Sequence, residues 1–581
     1  MTLFPHRRSS CALALMMTLL LVGCGSDSET TTAEGPDDSV DLSSDDQALT
    51  WYKDIKPLID DQCTGCHVEG GVGPFELTSY EAFKPMAQAA IASIESGSMP
   101  PWMPDPDCRE FRDERIVSPA QLDSLKAWVA EGMVVGNPDD EPARQEQGLT
   151  FEPTHTGAIV EAYTPSPATP DDYRCFILDF EFEQDTFLTG SQVIPDASAL
   201  VHHVLVYAIG PEQLDTIEEA DAQEAGSGYT CFGAPFPGTE GLGGGLAGGG
   251  GGLAGGMPEQ VGAWVPGSVP SIMEDNHAIP IRAGSKIVMQ VHYNMLAGDP
   301  EPDLTAFQMS LQTEPTDFVV HTRPLLIVDL EIPADAPEAS NAREYRNYTD
   351  RTIRVAGLAA HMHLLGTRFK SEITRTNGDQ ECVLDIPEWD FSWQQNYRPP
   401  AGQTIDLDPG DAISIECVYD NSAANQPLVN GERVEPRDVT WGEGTLDEMC
   451  MMYISMVEPY EPPEPTDPNA SVCDGASECL AACPEGASEV DCLLNCGLST
   501  ACMACSVREM LSCEPSCANN FFSLQSCFTD CAINTVILGG GIGECLQDRC
   551  GEDYDAMAGC IDPAVKAGTC DEGLAGCGIT R

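Results

Sequence analysis

Sixteen of the 26 cysteines in this 581-residue chain lie between Cys473 and Cys577, and their spacing limits what that stretch can fold into. Pairs four residues apart recur: Cys479/Cys483, Cys492/Cys496, Cys513/Cys517 and Cys527/Cys531. Cysteines at i and i+4 share a helix face, so two such helices can be stapled side by side. Residues 472–581 therefore read as a disulfide-bonded helical module with up to eight bridges. Metal storage is the rival reading, weakened because the segment holds no His. Cys502-Met503-Ala504-Cys505 has redox-motif spacing, but no thioredoxin-like strand pattern surrounds it. An acidic, proline-rich linker, 458–471, sets the module apart.

The other end carries an export pattern. Arg7 and Arg8 precede an apolar run from Cys11 to Val22, shorter than the roughly 20 residues that span a bilayer. It ends Leu21-Val22-Gly23-Cys24, which resembles a bacterial lipobox with Cys24 as the lipidated residue. The alternative is an ordinary cleaved signal with a chance cysteine. The expectation is a signal peptide over 1–23 and an exported bacterial lipoprotein, anchored by lipid in the outer membrane and facing periplasm or surface. Residues 24–48 are acidic and poor in large apolar side chains, as in a disordered tether. Lys+Arg of 28 against Asp+Glu of 93 gives a net charge of -65. Such a surface repels phosphate backbones, which excludes nucleic acid as a partner.

Trp51, Ile55, Leu58 and Ile59 recur at helical spacing and lead into Cys63-Thr64-Gly65-Cys66-His67. In CxxCH the thiols form thioethers to the haem vinyl groups and the His is the proximal iron ligand. A disulfide or zinc pair beside a bystander His is the competing reading of these five residues. The expected sixth ligand is Met99, in Gly97-Ser98-Met99-Pro100-Pro101-Trp102, where prolines hold the chain extended. Met103 is its rival, and a core-filling Met the plainer alternative. A last helix, capped at Ser118-Pro119 and running through Leu122, Leu125, Trp128 and Val129, closes a domain over 49–148. The arrangement resembles a small, α-helical class I cytochrome c with one haem c.

Beyond residue 149 the chain turns to short alternating runs rich in Val, Ile, Tyr and Thr, such as Val201–Ile209, Lys286–Met295, Thr352–His363, Ala412–Asp420 and Met449–Glu458. Many short strands with turn signals argue for antiparallel β-sandwiches of jelly-roll type, and the length argues for two, over 149–330 and 331–457. Five of the ten histidines fall in these runs: His202, His203, His292, His361 and His363. Residues i and i+2 of a strand share a face, so His361 and His363 can grip one ion. The adjacent His202 and His203 need a bulge or a strand end to do the same. Any one of them alone reads as structural. The run Gly241 to Gly256, made of Gly, Leu and Ala, reads as a mobile loop and lacks the context of a phosphate loop.

The set resembles the copper type II, ascorbate-dependent monooxygenases, the family of peptidylglycine α-hydroxylating and dopamine β-monooxygenases. His202 and His203 (HHVLVY) match its His-His pair, His292 (VMQVHYN) its later His, and His361 and His363 (HMHLLG) its HxH pair. Met449, in Asp447-Glu448-Met449-Cys450, matches its ligand methionine. The resemblance implies two coppers per chain, one on His202, His203 and His292 and one on His361, His363 and Met449. It also implies a Cys417–Cys450 disulfide; Cys108, Cys175, Cys231 and Cys382 have no partner assigned. Independently, imidazoles and a thioether suit copper cycling between Cu(II) and Cu(I) better than zinc.

The function this implies is oxidoreductase chemistry: hydroxylation of a C–H bond of a small molecule by O2. His361, His363 and Met449 carry the oxygen chemistry, while His202, His203 and His292 store the second electron. The reductant is the fused haem, or an external ascorbate or cytochrome. Two departures shift the substrate. Ala359 stands where the peptide-hydroxylating branch has a carboxylate-binding Arg, and Met451 stands where it has an Asn, while Tyr453 keeps its Tyr. No fork for a carboxylate remains, so a glycine-extended peptide is not expected. Trp389, Phe391, Trp393 and Tyr397 line an apolar pocket or pack an ordinary core. The alternatives are a copper and haem electron-transfer or binding lipoprotein without turnover, and a surface interaction protein worked by its Cys-rich tail.

Overall fold

The computed structural model describes residues 48–68, 73–112, 114–142, 151–231, 234–237, 257–266, 268–295, 298–429, 431–462, 473 and 476–579, the last stretch without 485–487 and 497–499. Cys24, the acidic tether, the glycine-rich run 241–256 and most of the linker lie outside the described residues. No helix among the described residues is long and apolar enough to cross a membrane.

Strand alternation dictates the centre of the molecule. In Ala412–Tyr419, Ile413, Ile415, Cys417 and Tyr419 are buried while Ser414, Glu416 and Val418 are half-buried, the period-2 pattern of a sheet with one face on a core. That strand pairs with Ala339–Arg346 and Gly366–Thr374, and Gln380–Ile386 completes a four-stranded sheet. A five-stranded sheet holds Asp171–Leu178, Lys286–Asn294 and Val201–Ile209 side by side. Lys286–Asn294 is buried on both faces, because the helix Leu214–Gln223 covers the sheet's outer side through Ile217 and Ala220. A long mixed sheet backs both. At one end Thr186–Ile194 and Ala306–Gln312 pack on the five-stranded sheet; at the other Met451–Pro459 and Ile353–His361 pack on the four-stranded one. Two sandwiches thus share one continuous sheet.

The segment before them is a small helical module. Trp51–Ile55 and Lys56–Gln62 run on as one helical stretch, followed by Ala87–Glu95 and Pro119–Ala130. Ser118 accepts from the backbone of Gln121, and the Gln121 side chain returns the bond, a complete capping box with Pro119 in the first turn. Trp51, Phe83 and Trp128 stack at its core. The stretch that follows Met99 leaves this module and lies on the second sandwich. Cys108 is disulfide-bonded to Cys382, Arg109 pairs with Glu381, and Asp105 N donates to Asp385 O at 2.7 Å.

The tail is helical and stapled. Cys479–Cys496 and Cys483–Cys492 hold two short helices antiparallel, and six more bridges follow. Cys502 and Cys505 bond to Cys473 and Cys577 rather than to each other. The long helix Ala518–Leu538 docks on the second sandwich, where Asn534 exchanges hydrogen bonds with the backbone of Arg346.

The Cys108–Cys382 bridge closes a loop of 274 residues, and removing such a constraint costs about 2–4 kcal/mol. Changing Cys108→Ser together with Cys382→Ser is expected to lower the urea midpoint and open the 100–116 stretch to proteolysis; an unchanged midpoint and cleavage pattern would contradict the docking.

Candidate metal centre

The pairing of Val201–Ile209 with Lys286–Asn294 slips beside the histidines: Val201 faces Tyr293 and His203 faces His292, so His202 is the extra residue of a bulge. The bulge turns two adjacent side chains towards one point. The Nδ1 atoms of His202 and His203 lie 3.3 Å apart, and the ligand atoms of His202, His203 and His292 all fall within 4.8 Å of one another.

His292 shows which nitrogen is free. Its Nε2–H donates to Asp171 Oδ1 at 2.8 Å, while its Nδ1 is buried with no hydrogen-bond partner. A buried, unpaired ring nitrogen facing two more imidazoles fits a metal, with the carboxylate orienting the ligand from behind. Asp171 is itself held from the second sandwich: Thr445 N donates to its Oδ2 at 3.0 Å and the Thr445 hydroxyl donates to Oδ1. Burial pushes the Asp171 carboxyl up, but the bonds from His292 and Thr445 together outweigh it and leave the group ionised below its usual range. Tyr173 stacks on His292 at 4.0 Å, and its hydroxyl donates to Glu443 O.

His361 is the last residue of its strand and His363 lies past the strand end. The two do not share a face by strand period alone, as the sequence suggested; a turn pinned by Glu448 brings them together. Glu448 is fully buried and accepts from His363 N and Leu365 N at 2.9 and 2.6 Å. The rings are then 5.1 Å apart. Each Nδ1 is occupied, His361 with Gln394 Oε1 at 2.5 Å and His363 with Asp447 O at 3.0 Å, so that a metal could be taken only by the Nε2 atoms. Burial holds His361 down to about 4 and His363 to about 3, so both are neutral donors. Met449 follows Glu448 directly, packed among Leu326, Met451 and Trp441. His361, the last residue of its strand, pairs with Met451, the first of the partner strand, two residues after Met449. Cys450, next in sequence, is bonded to Cys417.

The two groups form one cluster. His203 and His361 rings are 6.1 Å apart, and Phe391 stacks on His202 at 4.4 Å while lying 5.9 Å from His363. Burial, then the neighbouring imidazoles of both sandwiches, push His202 and His203 well below their usual range. Of the four aromatics in doubt, Phe391 is at the site, whereas Tyr397 is fully buried and Trp389 packs on the second core. Tyr453 faces Ala359 across the sheet, and the Glu443 carboxyl, pushed up to about 7 by burial, raises Tyr453 and Tyr207 further beyond what their own burial does. Asp171, Thr445 and Gln394 were not read as functional from sequence. They act through contacts across 33 to 274 positions, which no local pattern encodes.

Among the described residues only Cys63 and Cys66 are not in disulfides. His67 Nδ1 donates to Phe75 O at 3.0 Å, leaving Nε2 available. The glycine at 73 lies so close that a Cβ there would sit 2.6 Å from the His67 ring. Met103, the rival to Met99, has its Sδ accepting from Asp390 N at 3.3 Å and packs on the second sandwich.

Residues 338–476 match the family described as copper type II ascorbate-dependent monooxygenase, C-terminal domain. The match covers the second sandwich, with His361, His363 and Met449, and supports a copper-dependent monooxygenase. No curated protein matches the chain. Solved structures similar in part include the major capsid protein P2 of bacteriophage PM2 (8% identity, 53% of this chain and 98% of that one, TM-score 0.21). Another is PBCV-1 VP54 fitted into a reconstruction of the virophage Sputnik (9% identity, 55% and 100%, TM-score 0.21). Scores this low carry nothing about fold or function.

Asp171→Asn keeps the shape but loses the charge behind His292, and is expected to weaken metal affinity at the three-histidine group by about 10–100-fold, read by copper titration; unchanged affinity would contradict the triad. In the copper-free chain the unfolded state takes up protons at His361 and His363 near pH 6.5, before the folded state does. Stability present above pH 6.5 is therefore lost on descending towards about 4. Urea midpoints should fall more steeply over that window in the wild type than in His361→Asn/His363→Asn; parallel curves would contradict it.

Proposed function

We propose that this chain is an exported, lipid-anchored copper monooxygenase that hydroxylates a C–H bond with O2 and draws electrons from its own c-type haem. The observation that carries the reading is the cluster of five imidazoles from both sandwiches, of which His361 and His363 lie, with Met449, in the segment 338–476 that matches the copper monooxygenase C-terminal domain. Copper bound there would supply one-electron redox chemistry and activation of O2. Hydroxylation converts R–H, O2, two protons and two electrons into R–OH and water, so two one-electron centres suit it.

The chain's own residues set the geometry. His202, His203 and His292 would hold one ion through Nδ1, and His361, His363 and Met449 the other, the two imidazoles through Nε2. Asp171, Gln394 and the Asp447 carbonyl fix the ring orientations. Ala359 and His361 are two apart on one strand and so share a face, and Tyr453 and Met451 pair opposite them. That wall carries no cation, which favours a neutral, largely apolar substrate over a carboxylate. Haem attachment is supported by the unpaired Cys63 and Cys66 and by the Nε2 of His67, with Met99 as second ligand. The lipid anchor on Cys24 rests on the sequence pattern.

Mature protein assembled with haem c and loaded with copper should carry two coppers per haem. His361→Ala and His292→Ala should each lose one, and the loss should fall on different ions by their spectra. One copper or none would replace the enzyme by a binding or electron-transfer protein.

A further inference from the structure

Between Gln380–Ile386 and Ile405–Leu407, the chain from Phe391 to Tyr397 touches three parts of the molecule in seven residues. Phe391 stacks on His202. The side chain of Gln394 takes the Nδ1–H of His361 at 2.5 Å. Gln395 Nε2 donates to Pro101 O at 3.2 Å. Tyr397 receives Trp102 edge-on at 5.5 Å and Phe111 at the same distance. Pro101 and Trp102 follow Met99, and the whole stretch is held down by Cys108–Cys382, by Asp390 N on Met103 Sδ, and by Arg112 N on Arg398 O.

We propose that Phe391–Tyr397 is the electron bridge of this protein, and that it delivers electrons from the haem module to the His361/His363 group and not first to the three-histidine group. The inference rests on the copper and haem reading above and adds the route. From Met99 the path runs along two peptide units to the Pro101 carbonyl, across one hydrogen bond to Gln395, back one residue to Gln394, and across a second hydrogen bond onto the His361 ring. Both hydrogen bonds are within contact distance and the rest is covalent, whereas the same segment meets the three-histidine group through the stacking of Phe391 on His202 at 4.4 Å, a jump across non-bonded rings. In each passage one electron leaves the ferrous haem, which becomes ferric, and reaches a cupric ion, which becomes cuprous. No bond to protein forms or breaks. The Cys108–Cys382 staple then has a purpose: it removes docking as a step, so a tethered donor works without a diffusive encounter.

Pulse radiolysis of the full chain, carrying haem and Cu(II) without O2, tests this by following the haem absorbance after a sub-stoichiometric pulse, with the Cu(II) resonance as second readout. Metal and haem analysis comes first; absence of either overturns both this inference and the reading beneath it. With both present, haem reoxidation is expected to be independent of protein concentration and to require copper. It should survive in His292→Ala, vanish in His361→Ala, and slow several-fold in Gln395→Glu and Gln395→Leu, neither of which can donate to Pro101, with copper content unchanged. Loss of the fast phase in His292→Ala with survival in His361→Ala would overturn the route while leaving the copper enzyme standing, as would wild-type rates in both Gln395 variants.

Discussion

The bond between Thr445 and Asp171 joins the two sandwiches at the place where chemistry is expected. It belongs to a run of seven residues, Glu443 to Met449, that orients histidines on both sides. The Glu443 carbonyl anchors Tyr173, which stacks on His292; Thr445 anchors Asp171, which holds His292 Nε2; the Asp447 carbonyl holds His363 Nδ1; and Glu448 ties down the turn after His361. One stretch of backbone thus fixes two histidine groups that are far apart in sequence. Because Glu448 is buried with its oxygens on backbone N–H groups, truncating it leaves orphaned donors in the interior, a costly state. The Cys417–Cys450 bridge closes the end of the same run.

Around that run, the molecule places its weak points outside the site. The continuous sheet stiffens the relation between the sandwiches, and the histidines sit on strands or at their ends rather than on free loops, where precision is greatest. The helical module has a small core of its own, built on three aromatics, and borrows stability from the second sandwich through a disulfide and the aromatic contacts of Tyr397. The Cys-rich tail likewise docks on Ala339–Arg346, away from the histidines.

Much of this was legible in the sequence, for physical reasons. Alternation in Ala412–Tyr419 announces a half-buried strand, and the CxxxC spacing announces stapled helices, because both are local periodicities. The histidine pair needed a bulge, and the slip at His202 supplies one. The pairing of His361 with His363 was read for a strand, and the strand stops at His361; the turn that replaces it depends on Glu448, 83 to 85 residues away. Gln394 and Asp171 carry no motif at all, since each is a common residue made useful by one long-range hydrogen bond. The sharing of one sheet by both sandwiches was also invisible, because edge pairing between Phe318–Leu326 and His277–Ile281 depends on tertiary approach.

The central claim is that histidines from both sandwiches form one cluster, with His203 and His361 6.1 Å apart. Electron paramagnetic resonance of the fully loaded Cu(II) protein in frozen solution measures this directly. The account predicts a dipolar-broadened signal from two interacting ions, resolving into a single sharp copper signal when His292→Ala removes one. Two sharp, non-interacting signals from the wild type would contradict it, and would mean that the sandwiches hold their ligands apart in solution.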